Sequence, residues 1–472
     1  MEVPVPSLPR IDAMSADILP FERCLVEKYD RPGPRYTSYP TAPHFHEAFD
    51  TSAYHAAVAA SDQPGPLSVY VHVPFCESLC YYCACSKIIT HNRQRATQYL
   101  GYLKREIALQ AELFDPSRVM TQLHLGGGTP TFLSPDQLAE LLECLNRHFH
   151  FAAEHEREFS LEVDPRTVTP EQVFALRNLG FNRLSLGVQD FDPAVQQAVN
   201  RVQSEAEVRA LIDAAREAGF ASVSMDLIYG LPLQTRDSFA RTLEQVIAIR
   251  PDRIAAYSYA HLPHLFKAQR LIRDADMPPP SRKLELLELT IERLTAAGYV
   301  YIGMDHFALP EDELSLARRD GSLQRNFQGY STQGECDMIG LGITSIGRVG
   351  NAYSQNVKTT SEYMACLDAG RIPVLRGYCL TAEDRLRADV IAALMCHEGF
   401  RFADIEQRHG IDFAEHFADA LDQLSEMVDD GLIEISQVGI RVLPAGRLML
   451  RNIAMAFDGY LASESVRYSR TV

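Results

Sequence analysis

Short apolar runs alternate with amphipathic patterns between residues 67 and 259. A buried parallel strand is a continuous apolar run, whereas a helix packed on a sheet repeats apolar residues every three or four positions, so this alternation predicts βα units. The predicted strands are Leu67–Val73, Gln122–Leu125, Phe159–Val163, Arg183–Val188, Ser222–Ile228 and Arg253–Tyr259. The helical patterns are Pro135–Phe149, Pro170–Leu179, Ser204–Ala218 and Arg236–Ile249. Since about six units are fewer than the eight of a closed barrel, we expect an α/β fold with an open, partial TIM-like barrel.

The segments on either side of this pattern differ from it in composition. Residues 1–62 carry many prolines and few periodic apolar stretches, so we interpret them as an N-terminal arm with an extended segment at residues 33–41. Residues 63–374 form the predicted sheet domain, and residues 375–472 form a predicted C-terminal domain.

The C-terminal domain is predicted to be mainly helical and winged-helix-like. Its helical patterns are Ala382–Cys396, Phe402–His409 and Phe413–Asp429, and the strand-like runs Leu432–Ile435 and Ile440–Leu443 follow them. DNA binding is one function of such a domain. The many acidic residues here favour a packing domain or a lid instead.

Composition excludes several classes of protein. The chain of 472 residues carries a formal net charge of -17, which argues against a nucleic-acid partner. No apolar run is long enough to span a membrane, and the N-terminus does not resemble a secretory leader. We interpret the six cysteines outside the motif described next as reduced cysteines of the core, and we expect a cytoplasmic protein.

Four cysteines lie within ten residues in the spacing C-x3-C-x2-C-x-C, at Cys76, Cys80, Cys83 and Cys85. Three thiolates of this spacing can hold a four-iron cluster and leave its fourth iron open to a small molecule, which makes the cluster a reaction centre. Zinc is the first alternative, but no second cysteine pair follows. A disulfide framework is the second, but it suits small secreted domains.

Polar residues and glycines occur where the predicted strands end. The sequence GGGTP at residues 126–130 follows the second strand, and its glycines let the backbone approach a ligand closely. Because parallel strands end at one edge of a sheet, we expect the later strand-end residues to share one site. Those residues are Glu162 with Asp164, Gln189, Asp226, His261 and His264. Arg201 could bind a ligand carboxylate, and His306 is either a proton donor or a core histidine.

These motifs resemble those of the radical S-adenosylmethionine (SAM) enzymes, and within them the oxygen-independent coproporphyrinogen III oxidases. The resemblance rests on the cysteine motif with the extra Cys85, GGGTP, the PGPRYTSYPTA arm, GVQDF at 187–191, DLIYGLP at 226–232 and the loop at 325–334. It implies conversion of two propionates of coproporphyrinogen III to vinyl groups, giving protoporphyrinogen IX in haem biosynthesis. A 5′-deoxyadenosyl radical, made from SAM at a [4Fe–4S] cluster, would start the reaction.

The resemblance also assigns individual residues. Cys76, Cys80 and Cys83 match the cluster ligands, while Cys85 matches a cysteine that does not ligate it. Contacts to the cluster-bound SAM match Tyr70, Tyr82, Gly127, Glu162 and Ile346. A second SAM site matches Gly128, Thr129, Gln189, Arg201, Asp226 and Ala260. Phe327 and Gln328 match the loop near the reacting groups, and with Glu162 they are the catalytic candidates. Tyr82 and Leu125 depart from the family, which often has Phe and Trp there.

The expected substrate carries four carboxylates, so an acidic chain must gather cations locally, and Arg35, Arg201 and Arg325 are candidates. The other expected partner is a low-potential electron donor of flavodoxin or ferredoxin type, and we expect a monomer. Three rival functions remain: a haem-trafficking protein that binds haem, an iron–sulfur electron carrier and a zinc-bound regulatory protein. Haem-trafficking relatives generally lack the fourth cysteine and the arm.

Overall fold

The structure is a computed structural model that describes residues 19–61, 65–334, 336–461 and 468–471. Its described residues form two compact units. The larger unit comprises His44–Leu286 and Glu335–Leu380, and the smaller unit comprises the remaining described residues up to Pro43, Leu287–Gly334 and those from Thr381 onward. The expected domain boundaries after residues 62 and 374 stay a prediction.

The larger unit is built on ten strands of a mostly parallel sheet. In chain order they are β1 (Leu67–Val73), β2 (Met120–Gly127), β3 (Glu158–Val163), β4 (Arg183–Gln189), β5 (Ser222–Tyr229), β6 (Arg253–Ser258), β7 (Asp337–Leu341), β8 (Ile346–Val349), β9 (Ala352–Asn356) and β10 (Val374–Cys379). Their order across the sheet is β10-β9-β8-β7-β1-β2-β3-β4-β5-β6.

Strands β1 to β6 are consecutive parallel neighbours, so the six predicted βα units are confirmed. Strand β7 pairs parallel with the other edge of β1, and β8 to β10 continue from it as antiparallel strands. The apolar pattern found the six consecutive units because each carries its own helix. The apolar pattern did not indicate β7 to β10, because these strands are not separated by helical patterns as long as those between β1 and β6.

Capping residues explain where the helices of the larger unit begin. Ser134, Thr169, Ser204, Thr235 and Thr359 each accept a hydrogen bond from a backbone N–H three residues later, and each belongs to a capping box. The helices of this unit are Thr51–Ala59, Arg93–Ala111, Pro135–Phe149, Pro170–Asn178, Pro193–Ala198, Glu205–Ala218, Arg236–Ile249 and Thr360–Asp368. The helix Pro280–Ala296 contains the boundary between the units. No helix in the described part of the chain is long and apolar enough to cross a membrane.

The smaller unit combines helices with short antiparallel strands. Its helices are Arg23–Tyr29, Glu313–Asp320, Ala382–His397, Phe402–His409, Phe413–His416, Ala418–Gln423, Ser425–Asp429 and Leu450–Met455. Gly399–Arg401, Gly439–Val442 and Ile433–Ile435 form a three-stranded sheet. Two hairpins pair Val300–Gly303 with His306–Ala308 and Gln324–Asn326 with Gly329–Ser331. Buried phenylalanines contact one another in its core, and the rings of Phe402 and Phe413 stack at 4.4 Å between centroids.

Three expectations need correction. The single helix expected over Phe413–Asp429 is three short helices, because the helix is interrupted at Phe417 and again at Leu424 although buried apolar residues continue at helical spacing. The strand Gly399–Arg401 was not expected. All ten cysteines are free, but only Cys144 and Cys396 among the six scattered ones are buried, and Cys24 and Cys379 are exposed. The segment 33–41 contains no helix, as predicted.

A fully buried carboxyl group joins the helix Arg93–Ala111 to the segments after β7. Glu106 accepts hydrogen bonds from Gly342 N–H at 2.7 Å, Asn356 Nδ2 at 2.7 Å and Tyr363 Oη at 2.6 Å. Burial raises the pKa of Glu106 from 4.5 to about 7, although the three donors oppose the rise. The group is therefore protonated over a wider pH range in the folded chain than in the unfolded chain.

We expect Glu106→Gln to change the pH dependence of stability. The raised pKa means that Glu106 stabilises the folded wild type fully below pH 4.5 and loses this contribution as the pH rises through about 7. Between pH 4.5 and about 7, the excess of the wild type over the variant in free energy of unfolding should therefore shrink by up to about 3 kcal/mol. Denaturant unfolding at pH 5, 6, 7 and 8 measures it. Exposed Glu112→Gln is the control, and parallel curves for wild type and Glu106→Gln would contradict the expectation.

Candidate active site

The cysteine loop begins at the carboxyl end of β1. Phe75–Cys76 pairs with Ile88–Ile89, so the loop between them starts and ends on two short paired strands. Cys80 is buried, whereas Cys76 and Cys83 are half-buried. The three thiols interact electrostatically, and burial raises the pKa of Cys76 to about 11, with the neighbouring Cys83 and Cys80 adding to the rise. The spacing therefore brings the three predicted ligands together.

Cys85 has a contact that the spacing could not reveal. Its thiol hydrogen-bonds to Cys83, which lowers the pKa of Cys83 to about 6, and the nearby Lys87 acts in the same direction. Lys87 Nζ also donates to the carbonyl of Cys83 at 2.8 Å. Cys83 is thus surrounded by groups that favour its thiolate, the form in which cysteine binds iron.

The glycine triplet lies against the start of the cysteine loop. A Cβ atom at Gly128 would stand 2.7 Å from Pro74 C and 2.8 Å from Phe75 O, which are backbone atoms. Gly128 N–H and Thr129 N–H donate to the carbonyls of Val73 and Phe75 at 2.9 and 2.8 Å. The hydroxyl of Thr129 donates to Cys76 Sγ at 3.5 Å. Close packing against the loop is a structural reason for glycine here, in addition to the predicted approach of a ligand.

Gly126 and Gly127 are needed for similar reasons. Gly127 has φ +112°, and a Cβ there would lie 2.6 Å from the ring of His72. A Cβ at Gly126 would lie 3.0 Å from Glu162 Oε1. The three glycines therefore keep the end of β2 close to both β1 and β3.

A polar face crosses the first three strands of the sheet. Tyr70, His124 and Ser160 are register partners on β1, β2 and β3. The rings of Tyr70 and His124 stack at 5.8 Å, Tyr70 Oη hydrogen-bonds to His72 Nδ1 at 3.1 Å, and His124 Nδ1 to Ser160 Oγ at 2.7 Å. His72 and His124 were not among the predicted site residues. Their alternation with apolar residues along β1 and β2 was the available signal.

Glu162 ends this face with an oriented carboxylate. Gly127 N–H donates to Glu162 Oε2 at 3.1 Å, and His124 Nε2 lies 3.5 Å from Oε1. Reduced hydration raises the pKa of Glu162, but the bonds from His124 and Gly127 outweigh it and leave the pKa below its ordinary value. Because 44 % of the side chain is exposed, this carboxylate has room to contact a ligand.

Asp226 on β5 is a second carboxyl group of the site, with a different electrostatic environment. Reduced hydration, and after it the charge of Glu162, raise the pKa of Asp226 to about 7. Ser185 Oγ donates to Asp226 Oδ2 at 3.3 Å. The two carboxyl groups are thus electrostatic neighbours whose pKa values are displaced in opposite directions.

A network of two arginines and one aspartate surrounds Cys80. Arg166 Nη2 and Arg201 Nη1 each lie 3.4 Å from Cys80 Sγ, and both side chains pair with Asp164. Arg201 also donates to the carbonyl of Gly187, while its buried Nε has no hydrogen-bond partner among the described residues. The strand-end pattern did not indicate Arg166, although this residue follows the predicted Asp164 by two positions.

The remaining predicted residues fall into three groups. Tyr82 and Ala260 are tied together, because Gln269 Nε2 donates to both backbone carbonyls, at 3.0 and 3.2 Å. Gln269 is buried and had no sequence signal. Gln189, at φ +70°, ends β4, and Ile346 begins β8. His261 contacts Tyr259 and Asp274, and His264 is exposed.

Phe327 and Gln328 belong to the smaller unit. They form the tip of the hairpin between Gln324–Asn326 and Gly329–Ser331, where Gln328 N–H donates to Asn326 Oδ1 at 2.8 Å. Their proposed place near the reacting groups stays a prediction.

The donor set fits an iron–sulfur cluster. Cys80 lies beside Arg166 and Arg201, and Cys83 lies beside Lys87, so positive charge is next to two of the three thiols. In the described ranges, no group of three or more His, Cys, Asp or Glu side chains is placed to hold a single metal ion. Cysteines of a four-iron cluster bind different irons and need not converge on one point.

Comparisons with known proteins identify the class and the family of this chain. The model of the Radical SAM superfamily matches residues 70–246, and the model of the HemN C-terminal domain matches residues 380–449. The oxygen-independent coproporphyrinogen III oxidase of Pseudomonas aeruginosa is 49 % identical over 458 residues, which are 97 % of this chain and 100 % of that protein. The Escherichia coli protein of the same name is 47 % identical over 461 residues, which are 97 % of this chain and 100 % of that protein.

A solved structure extends the comparison to the whole fold. Coproporphyrinogen III oxidase from Escherichia coli, described as a radical SAM enzyme, superimposes with a TM-score of 0.89 at 47 % identity, covering 94 % of this chain and 100 % of that one. The parallel βα sheet with a cysteine loop after its first strand therefore defines a radical SAM protein. Within that class, the chain belongs to the family of oxygen-independent coproporphyrinogen III oxidases.

We expect Gly128→Ala to destabilise the protein and to reduce its cluster content. The added Cβ meets backbone atoms that can move only if the cysteine loop moves, which costs about 1–3 kcal/mol. Gly101→Ala is the matched control, because a Cβ there meets nothing within 4 Å on the helix Arg93–Ala111, and it should be neutral or stabilise by up to about 1 kcal/mol. Thermal unfolding and iron content measure both. Equal effects of the two substitutions would refute the packing role.

We expect Arg166→Met to make the cluster harder to reduce. Reduction adds negative charge, and the variant removes a cation that lies 3.4 Å from Cys80 Sγ. The midpoint potential, measured by a redox titration followed by electron paramagnetic resonance, should fall by on the order of 50 mV. Arg147→Met, an exposed arginine that pairs with Glu143, is the control. An unchanged potential in Arg166→Met would show that this arginine does not influence the cluster.

Proposed function

We propose that this chain catalyses the oxygen-independent oxidative decarboxylation of coproporphyrinogen III to protoporphyrinogen IX, with a [4Fe–4S] cluster held by Cys76, Cys80 and Cys83. The observation that carries the proposal is the grouping of these thiols with the glycine triplet and Glu162 at the carboxyl ends of β1, β2 and β3. Near-complete coverage of relatives named for this activity supports it.

A [4Fe–4S] cluster bound to Cys76, Cys80 and Cys83 would supply the electron for reductive cleavage of SAM. The overall reaction would remove one hydrogen atom, CO2 and one electron from each reacting propionate, and a separate acceptor would take the electron. The chain's own residues bind and orient SAM and the substrate. Glu162, held by Gly127 N–H and His124, offers a fixed carboxylate to an ammonium or hydroxyl group of SAM. We propose that Tyr70, which interacts electrostatically with Glu162, also contacts this SAM, as do the backbone near Tyr82 and Ile346. Phe327 and Gln328 are proposed to act near the reacting groups.

We also propose a second SAM site formed by Gly128, Thr129, Gln189, Arg201, Asp226 and Ala260. Two observations support it. Arg201 keeps a buried Nε without a partner in the described part of the chain, so a ligand carboxylate can complete its hydrogen bonding. Asp226 has a raised pKa next to Glu162, which is typical of carboxyl groups at binding sites.

The second SAM site predicts a binding stoichiometry. Equilibrium dialysis of the reconstituted protein should give two SAM molecules per chain, and Asp226→Asn should reduce this to about one, since it removes a predicted ligand of only the second site. Asp213→Asn, exposed on the helix Glu205–Ala218, should keep two. A wild type that binds one SAM would contradict the second site and leave the first untouched.

The activity itself is tested by an anaerobic assay with SAM, a reductant and coproporphyrinogen III. We expect protoporphyrinogen IX from the wild type and loss of both product and cluster absorbance in Cys83→Ala, because one iron loses its thiolate. Cys144→Ala, a buried cysteine outside the loop, should keep the cluster. SAM cleavage without decarboxylation in the wild type would reject the proposed reaction and favour the haem-binding alternative.

The proposed function also implies partners and a cellular compartment for this protein. We propose a monomer that accepts electrons from a flavodoxin- or ferredoxin-like donor in the cytoplasm. Ten free cysteines agree with a reducing compartment. The expectation that the chain has no nucleic-acid partner rests on its net charge of -17.

A further inference from the structure

Three arginines of the smaller unit form a cluster, defined here as Arg35, Arg325 and Arg451. Arg451 Nε donates to the carbonyl of Pro34 at 2.9 Å, so the Arg451 side chain contacts the residue that precedes Arg35. Arg35 Nη1 pairs with Asp305 Oδ2 at 3.0 Å. Burial, and after it the nearby charge of Arg35, lower the pKa of Arg451 to about 10, with Arg325 contributing in the same direction.

Positive charge is in excess within the arginine cluster. Asp305 balances the charge of Arg35. The donors of Arg451 go to backbone carbonyls, at Gly33, Pro34, Arg470 and Thr471, so these bonds hold the side chain without neutralising it. Gathering like charges in a partly buried place is unfavourable unless an anion binds there. In a chain with a net charge of -17, such a cluster is also unusual.

Arg325 shows where the anion would bind. Its Nε and Nη1 are buried and have no hydrogen-bond partner in the ranges that the structure describes. Arg325 Cζ lies over the ring of Tyr330, its register partner across the hairpin, at 4.7 Å from the ring centroid. This contact with the π face supplies no hydrogen-bond acceptor in the described residues for Nε or Nη1. Buried N–H groups of a charged side chain are costly when unpaired, so a ligand is the physical explanation for them.

We propose that Arg325, together with Arg35, binds a propionate carboxylate of the porphyrinogen substrate, while Arg451 adds charge and fixes the backbone next to Arg35. A planar guanidinium matches a carboxylate with two parallel hydrogen bonds. Arg35 retains an exposed portion of 40 %, so it can contact the same group while it is paired with Asp305. Arg325 lies in the hairpin whose tip is Phe327 and Gln328.

This site rests on the proposed function, because coproporphyrinogen III is the tetracarboxylate that supplies the ligand. The probe is coproporphyrin III, its oxidised and unreactive form, titrated into the reconstituted protein with fluorescence quenching as the signal. We expect Arg325→Met to raise the dissociation constant for coproporphyrin III by roughly tenfold or more. Arg325→Lys should lie between the wild type and Arg325→Met, because it keeps the charge but loses the planar group.

The matched control is Arg319→Met, which removes one exposed arginine from the helix Glu313–Asp320 of the same unit. It should bind coproporphyrin III like the wild type. Equal binding by Arg325→Met and Arg319→Met would overturn the site. So would a lower melting temperature of ligand-free Arg325→Met with an unchanged dissociation constant for the folded protein, because that result assigns Arg325 a structural role.

The same measurements separate this site from the proposed function. A wild type that cleaves SAM but does not bind coproporphyrin III contradicts the proposed substrate. A wild type that binds the porphyrin tightly, with Arg325→Met unchanged, contradicts the arginine site alone.

Discussion

The candidate active site depends on the close approach of two backbone segments, the end of β2 and the start of the cysteine loop. Gly128 lies against the backbone of Pro74 and Phe75, and two hydrogen bonds from Gly128 and Thr129 hold the segments together. A side chain at this position would separate them. Cys76 follows Phe75 directly, so this contact determines where the first thiol stands relative to the ends of β1 and β2.

Charge balance is the second constraint on the site. Thiols and carboxylates are gathered in one place, and Arg166 and Arg201 bridge them by contacting both Asp164 and Cys80. Burial raises the pKa of Asp164, but the two arginines favour its ionised form and hold this pKa below the ordinary value. The acidic chain therefore concentrates its cations where anions must be held, beside Cys80 in the larger unit and, as we propose, around Arg325 in the smaller one.

The contacts divide the three predicted arginines between two different environments. Arg35, Arg201 and Arg325 were expected as candidates for binding carboxylates of the substrate. Arg201 is held by Asp164, Gly187 and Cys80, so its environment belongs to the cysteine loop. Arg35 and Arg325 interact with a third arginine, Arg451, whose backbone contacts no sequence pattern indicates.

The sequence alone determined the six consecutive βα units, the cysteine motif and the strand ends that carry Glu162 and Asp226, because these depend on local periodicity and spacing. It also indicated the family, because the motifs that resemble those of the family each lie in a short stretch of sequence. Only the tertiary structure decided the pairing of β7 with β1, the hydrogen bond between Cys85 and Cys83, and the joint hold of Gln269 on Tyr82 and Ala260. These contacts depend on the direction of a side chain or on the order of the strands in the sheet. The spacing of residues within one segment does not determine either of them.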